Sequence, residues 1–222
     1  MAKFTWSFSA LSAFSTCPKR FFHYNVIKDI QEPESAALRE GSEMHKAFEN
    51  RVRDGTRLPL PYVQHEPLLT KLIEAPGTTY AEQKLGLTRD FKPAGFFSNN
   101  VWFRTVIDFC KVRPKSAVVI DYKSGKVTED ETQLSLMAAT IMHHEPEIAE
   151  VKTAFLFANR DTLITRNFQR DDLDTIWGGI LPRVAKLEEA SKREEYPPKP
   201  SGLCVKYCAV TSCPHHGTGS RW

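Results

Sequence analysis

Residues 116–125, SAVVIDYKSG, constrain the fold of this chain more than any other stretch. The run Val118-Val119-Ile120 shows no polar alternation, so it reads as a central strand covered on both faces. Charge follows at once, as Asp121 and then Lys123, before Ser124-Gly125 turns the chain. Side chains two apart on a strand share a face, so Asp121 and Lys123 point the same way. Ionised groups at the end of a buried strand are costly unless they are paired or hold a metal.

The preceding segments supply partners. Residues 101–112, VWFRTVIDFCKV, are rich in β-branched and aromatic residues and read as a strand carrying Asp108. If it pairs with the SAVVIDYKSG strand through the KVRPKSA turn, Asp108 and Asp121 converge. Glu82, on the weakly alternating TYAEQKLGLT strand, can join them. Phosphodiester hydrolysis needs such a set. A divalent ion held by carboxylates lowers the pKa of a bound water and offsets phosphate charge, and a nearby lysine stabilises developing negative charge. Oxygen ligands suit Mg²⁺ or Mn²⁺. D-x-K by itself is most often a surface salt bridge. The apolar run before it and the second V-I-D set this copy apart.

The remaining chain predicts helices, a mixed sheet, a helix, a hairpin, a helix and a tail. A short helix, capped by Ser9, ends near Cys17, and a second starts at Pro18. Residues 34–55 form a longer helix with a Leu38, Met44, Phe48, Val52 stripe and Gly55 at its end. Residues 57–77 form a loop holding one short helix at 68–74. A helix over 128–144 has Thr128 and Glu131 at capping-box spacing. A hairpin over 151–168 turns at 159–161. A helix over 171–194 is disturbed at Gly178, Gly179 and Pro182.

Hydrophobic residues make up 41% and charged residues 26% of the 222, which describes a soluble globular protein. The net charge of +3 neither requires nor forbids a nucleic-acid partner, since a basic groove can hide in a near-neutral total. No apolar stretch approaches the ~18 residues of a membrane span. The N-terminus lacks a secretory segment, so a cytoplasmic location is expected.

Five cysteines argue against a disulfide framework and toward metal or a free thiol. Cys204, Cys208 and Cys213 are spaced C-x3-C-x4-C, and Cys17 is the natural fourth ligand. Such a site would clasp the two chain ends. His215 and His216 could replace a thiolate in a zinc site. Cys110 reads as a core residue. Lys19 and Arg20, interleaved with Phe21, Phe22 and Tyr24, either contact a phosphate backbone or flank core rings.

Taken in order, SALSAFSTCPKRFF, GSEMH, YAEQK, VIDF, VIDYKSGK, QLSLM and the cysteine tail give the chain a family likeness. It resembles the RecB-like branch of the PD-(D/E)XK nuclease superfamily, especially the phage and CRISPR-associated exonucleases that carry a cysteine cluster. The resemblance implies one domain over 1–222 with a restriction-endonuclease-like α/β core at about 34–195, a central mixed sheet flanked by helices. It makes His45, Asp108, Asp121 and the Tyr122 backbone carbonyl metal ligands, Lys123 the catalytic lysine, and Gln133 a residue that holds DNA or orients that lysine. It implies a 4Fe–4S cluster at Cys17, Cys204, Cys208 and Cys213, with Zn²⁺ as the alternative. Met137 stands where the family's Q-x-x-x-Y motif has tyrosine, and Thr105 replaces a common glycine. The expected activity is a DNA exonuclease acting on ends or single strands in phage or bacterial recombination, replication or repair, with a replication or recombination protein as possible partner. A phage-encoded copy would work in the bacterial host cytoplasm. The rivals are a non-catalytic DNA-binding or recruitment module and an enzyme that works only inside a helicase complex.

Overall fold

The structure is a computed structural model that describes residues 4–31, 35–127 and 130–218. The chain forms two compact units, one of residues 35–179 and one of the two chain ends. No described helix is long and apolar enough to cross a membrane.

The larger unit is built on six strands: β1 (Thr78–Leu87), β2 (Pro93–Ala94), β3 (Phe103–Val112), β4 (Ser116–Lys123), β5 (Glu150–Phe157) and β6 (Thr162–Gln169). Their order in the sheet is β2-β1-β3-β4-β5-β6. All neighbours are antiparallel except β4 and β5. A parallel pair needs a crossover, and helix α5 (Thr132–His144) supplies it. The mixed sheet flanked by helices matches the expected architecture.

Helix α3 (Ala36–Asp54) covers one face. Met44 and Phe48 pack there with Phe109, Ile120, Tyr122 and Leu156, joined by Leu69 of α4 (Glu66–Glu74). Helix α5 covers the other face, where Met137, Ala138, Ile141 and Met142 meet Ile107, Cys110, Val119 and Val151. β4 is therefore covered on both sides, as its unbroken apolar run requires.

Several expectations are corrected. Ser7, not Ser9, caps α1 (Phe8–Thr16), its hydroxyl accepting the Ala10 N–H at 3.2 Å. Leu38 is exposed, so the α3 stripe narrows to Met44 and Phe48, with Val52 half-buried. Thr128 lies outside the described residues. α5 starts at Thr132, whose N–H donates to Asp130 Oδ1 at 3.0 Å. α6 (Leu173–Arg193) is one helix through Gly178, Gly179 and Pro182. A proline removes one intrahelical hydrogen bond, and Pro182 is exposed, so its ring crowds no packed surface.

In the terminal unit, α2 (Pro18–Phe21) has its proline in the first turn and runs on into a π-helix over Phe22–Val26. Phe21 is buried against Phe14 and Tyr196, and Phe22 stacks on Tyr196 at 4.8 Å. These rings are packing residues. The last helix is α7 (Leu203–Lys206).

Candidate metal centre

The site forms where the sheet's regularity breaks. β3 and β4 pair from Val112↔Ala117 to Phe109↔Ile120, and the ladder stops one step short of Asp108 and Asp121. There the Asp108 carboxylate takes over, and its Oδ2 accepts the buried Tyr122 N–H at 2.7 Å. On the other side of β3 the ladder skips Glu82 and Asp108. Glu82 has φ +50°, a left-handed conformation that is uncommon for a residue with a side chain. Ile107 and Cys110, three apart, both pack on the α5 side, so strand alternation slips at Asp108.

α3 brings the imidazole. Ser35 caps its start, with the Leu38 N–H donating to the serine oxygen at 3.2 Å, and Gly55 ends it at φ +72°. Met44 and Phe48 seat the helix, which aims His45 at the break in the sheet. A Cβ at Gly41 would lie 3.1 Å from Ser124 Oγ, so a side chain one turn before His45 would press on the end of β4. An open depression of about 490 Å³ results, lined in part by Gly41, Ser42, His45, Lys46, Glu82 and Ser124. Ser124 directly follows the D-x-K stretch, whereas Lys46 lies in no motif of the sequence.

His45 Nδ1 lies 3.4 Å from Asp108 Oδ2 and 3.9 Å from Glu82 Oε1. One donor atom from each of His45, Glu82 and Asp108 falls within 4.8 Å of the others. Hydrogen bonding to Asp108 first, and then to Glu82, pushes the His45 pKa up to about 10. A protonated imidazole thus offsets carboxylate charge that a metal cation would otherwise offset.

Beside this group lies a closed triangle. Lys123 Nζ donates to Gln133 Oε1 at 2.8 Å, and Gln133 Nε2 donates to Asp121 Oδ1 at 2.6 Å. Lys123 Nζ also sits 2.6 Å from Asp121 Oδ2. That approach is an ion pair without hydrogen-bond geometry, so Oδ2 is a buried oxygen with no hydrogen-bond donor. Burial, and then the Asp108 charge, push the Asp121 carboxyl up to about 6, while Lys123 and His45 pull it back. His45, Glu82 and Asp108 together offer an imidazole and two carboxylates, a donor set that fits a divalent ion, and beside them Asp121 Oδ2 meets only the Lys123 ammonium.

Of the sequence-derived candidates, the structure brings together His45, Glu82 and Asp108, and it joins Asp121, Lys123 and Gln133. The Tyr122 ring is buried 4.3 Å from the Phe48 ring. Met137, at the motif's tyrosine position, is buried in the α5 core. Cys110 is a core residue whose thiol burial pushes up to about 12. Lys19 and Arg20 lie in the terminal unit, where with Cys17, Cys204, Cys208 and Cys213 they line one small cavity of about 10 Å³.

No curated protein matches the chain in sequence. Among solved structures, one from Eubacterium rectale, provisionally named an exonuclease, is similar at a TM-score of 0.54 with 12% identity; the match covers 90% of this chain and 85% of that one. A protein named SSO0001 is similar at a TM-score of 0.50 with 13% identity, over 97% of this chain and 89% of the other. At these identities the likeness is one of fold. The profile of the PD-(D/E)XK nuclease superfamily matches residues 5–214. The chain belongs to the PD-(D/E)XK nuclease superfamily.

Proposed function

We propose that this chain is a divalent-metal-dependent deoxyribonuclease, acting as an exonuclease on DNA ends or single strands in phage or bacterial recombination, replication or repair. The convergence of His45, Glu82 and Asp108 beside the Asp121–Lys123–Gln133 triangle carries this reading. The name of the Eubacterium rectale neighbour supports the choice of exonuclease. His45, Asp108, Asp121 and the Tyr122 carbonyl would hold Mg²⁺ or Mn²⁺, with Glu82 facing the same point. Such an ion lowers the pKa of a bound water and offsets charge on the phosphate. An imidazole among oxygen ligands favours Mn²⁺.

The chain's own groups do the rest. The Lys123 ammonium is aimed by Gln133 and Asp121 and stabilises negative charge developing on the phosphate. Both ends of the Gln133 amide are engaged within the triangle, which favours its orienting role over DNA contact. Within the terminal unit, Lys19 and Arg20 would contact a phosphate backbone. Labelled single- and double-stranded DNA, incubated with Mg²⁺, Mn²⁺ or EDTA, tests the activity. Progressive shortening with either ion and intact DNA in EDTA is expected. DNA that is retained but never cut would favour the non-catalytic module.

In the terminal unit, Cys17, Cys204, Cys208 and Cys213 would hold a 4Fe–4S cluster, with Zn²⁺ as the alternative. All four line one cavity, and an all-thiol donor set suits soft metals. Cys17 Sγ accepts the Lys199 N–H and Cys204 Sγ the Ser201 N–H, both at 3.4 Å. Such bonds help to stabilise thiolate charge. Close to Cys17, Lys199 Nζ donates to Ser15 O at 2.7 Å. Anaerobically purified protein is expected to be brown, with iron and sulfide. Colourless protein holding zinc would replace the cluster by the alternative.

A further inference from the structure

Leu85 and Ile107 pack with α5, so the residues alternating with them, Lys84 and Arg104, face the other side of the sheet. That is the side on which α3 carries His45. Lys84 lies two residues beyond Glu82 on β1, about 7 Å along the strand, and Arg104, opposite Gly86, lies about 13 Å along.

Over these two cations sits the loop that joins β2 to β3. Phe97 is 76% exposed. Its ring meets Phe96 edge-on at 4.9 Å, and Lys84 Nζ is 5.9 Å from its centroid. The Arg104 guanidinium is 5.4 Å from the Phe96 ring and 5.9 Å from Phe97. Neither Lys84 nor Arg104 has a side-chain hydrogen bond or ion pair among the described residues, and Arg104 Nε is buried without an acceptor.

The loop is built rather than loose. The Ser98 N–H donates to Gly95 O at 2.9 Å and its hydroxyl to Asn100 Oδ1 at 2.8 Å. It lies directly on β1, since a Cβ at Gly86 would come within 2.6 Å of Val101 Cγ2. An exposed aromatic ring flanked by cations without anionic partners is the chemistry that stacks a base and holds its phosphates.

Resting on the nuclease reading, we infer that Phe97, Lys84 and Arg104 form a binding site for single-stranded DNA that continues from the metal centre along β1 and β3. Phe97 stacks an unpaired base, and the two cations hold the adjoining phosphates. Duplex bases are stacked on one another and offer no face, so the site selects the single strand.

Fluorescence anisotropy of the full chain with labelled oligothymidylate, in EDTA so that nothing is cut, tests this site. Phe97→Ala is expected to weaken binding about tenfold. Phe97→Trp retains it, and blunt duplex binding changes less than single-strand binding. Lys84→Gln and Arg104→Gln each flatten the salt dependence by a slope of about 0.7. Hydrolysis of bis(p-nitrophenyl) phosphate with Mn²⁺, which has no base to stack, is unchanged by Phe97→Ala. Single-strand affinity within twofold of wild type in Phe97→Ala, or an unaltered salt slope in both cation variants, overturns the site. If wild type hydrolyses no phosphodiester, the nuclease reading falls while the metal-free binding result still decides the patch.

Discussion

Asp121→Asn will cut DNA at least about a thousandfold more slowly than wild type, yet without metal it will melt no earlier above pH 6. The first effect follows from losing the buried anionic oxygen that would hold the proposed metal ion. The second follows from the pKa. The Asp121 carboxyl is raised from 3.8 to about 6, so the fold disfavours its ionised form. That cost is absent below about pH 3.8, grows between there and 6, and is complete above. Asparagine removes it and its Oδ1 still accepts the Gln133 N–H, while its Nδ2, a donor like Lys123 Nζ, turns the ammonium toward water. Lys123 keeps its bond to Gln133 and is partly open to water. Melting curves in EDTA from pH 4 to 8 should therefore show the variant gaining on wild type as pH rises. A variant that loses ground with pH, or still cleaves, contradicts this.

Lys123→Ala should lower kcat about 10²- to 10³-fold, with Mn²⁺ affinity unchanged. The lysine is proposed to act on charge that develops during reaction, so its loss should spare ground-state metal binding. Lys123→Arg should not restore the rate. A planar guanidinium is no substitute for a compact ammonium wedged between Asp121 and Gln133. Gln133→Ala should cost less, about tenfold, because it removes the orienting bond and leaves the charge. Single-turnover rates at saturating Mn²⁺ check this series. Rates that fall only in step with metal affinity would recast Lys123 as a structural counter-ion.

Strand β4 and its charges were legible because an unbroken apolar run has few alternatives to a buried strand. The hairpin through the KVRPKSA turn followed, and with it the placing of Asp108 and Asp121 one step beyond the last ladder pair. The role of Glu82 was legible only as proximity on a neighbouring strand. Its left-handed backbone and the slip at Asp108 are tertiary outcomes that local pattern does not encode. β2 has two residues and begins with proline, too little for any periodicity. The disturbance expected in α6 assumes that local propensity decides a helix; Ile180, Val184 and Leu187, buried at helical spacing, outweigh it. The cation–aromatic patch has no sequence signature, because Lys84, Phe97 and Arg104 are separated in sequence and meet only through the β1–β3 ladder.

The proposed function requires one divalent ion gripped by an imidazole and carboxylates at the break in the sheet. Electron paramagnetic resonance of Mn²⁺ added to the metal-free protein tests it directly. Bound Mn²⁺ coupled to an imidazole nitrogen is expected, with the coupling lost in His45→Ala and binding strongly weakened in Asp108→Asn. Mn²⁺ bound without nitrogen coupling, or bound equally well by both variants, would contradict it.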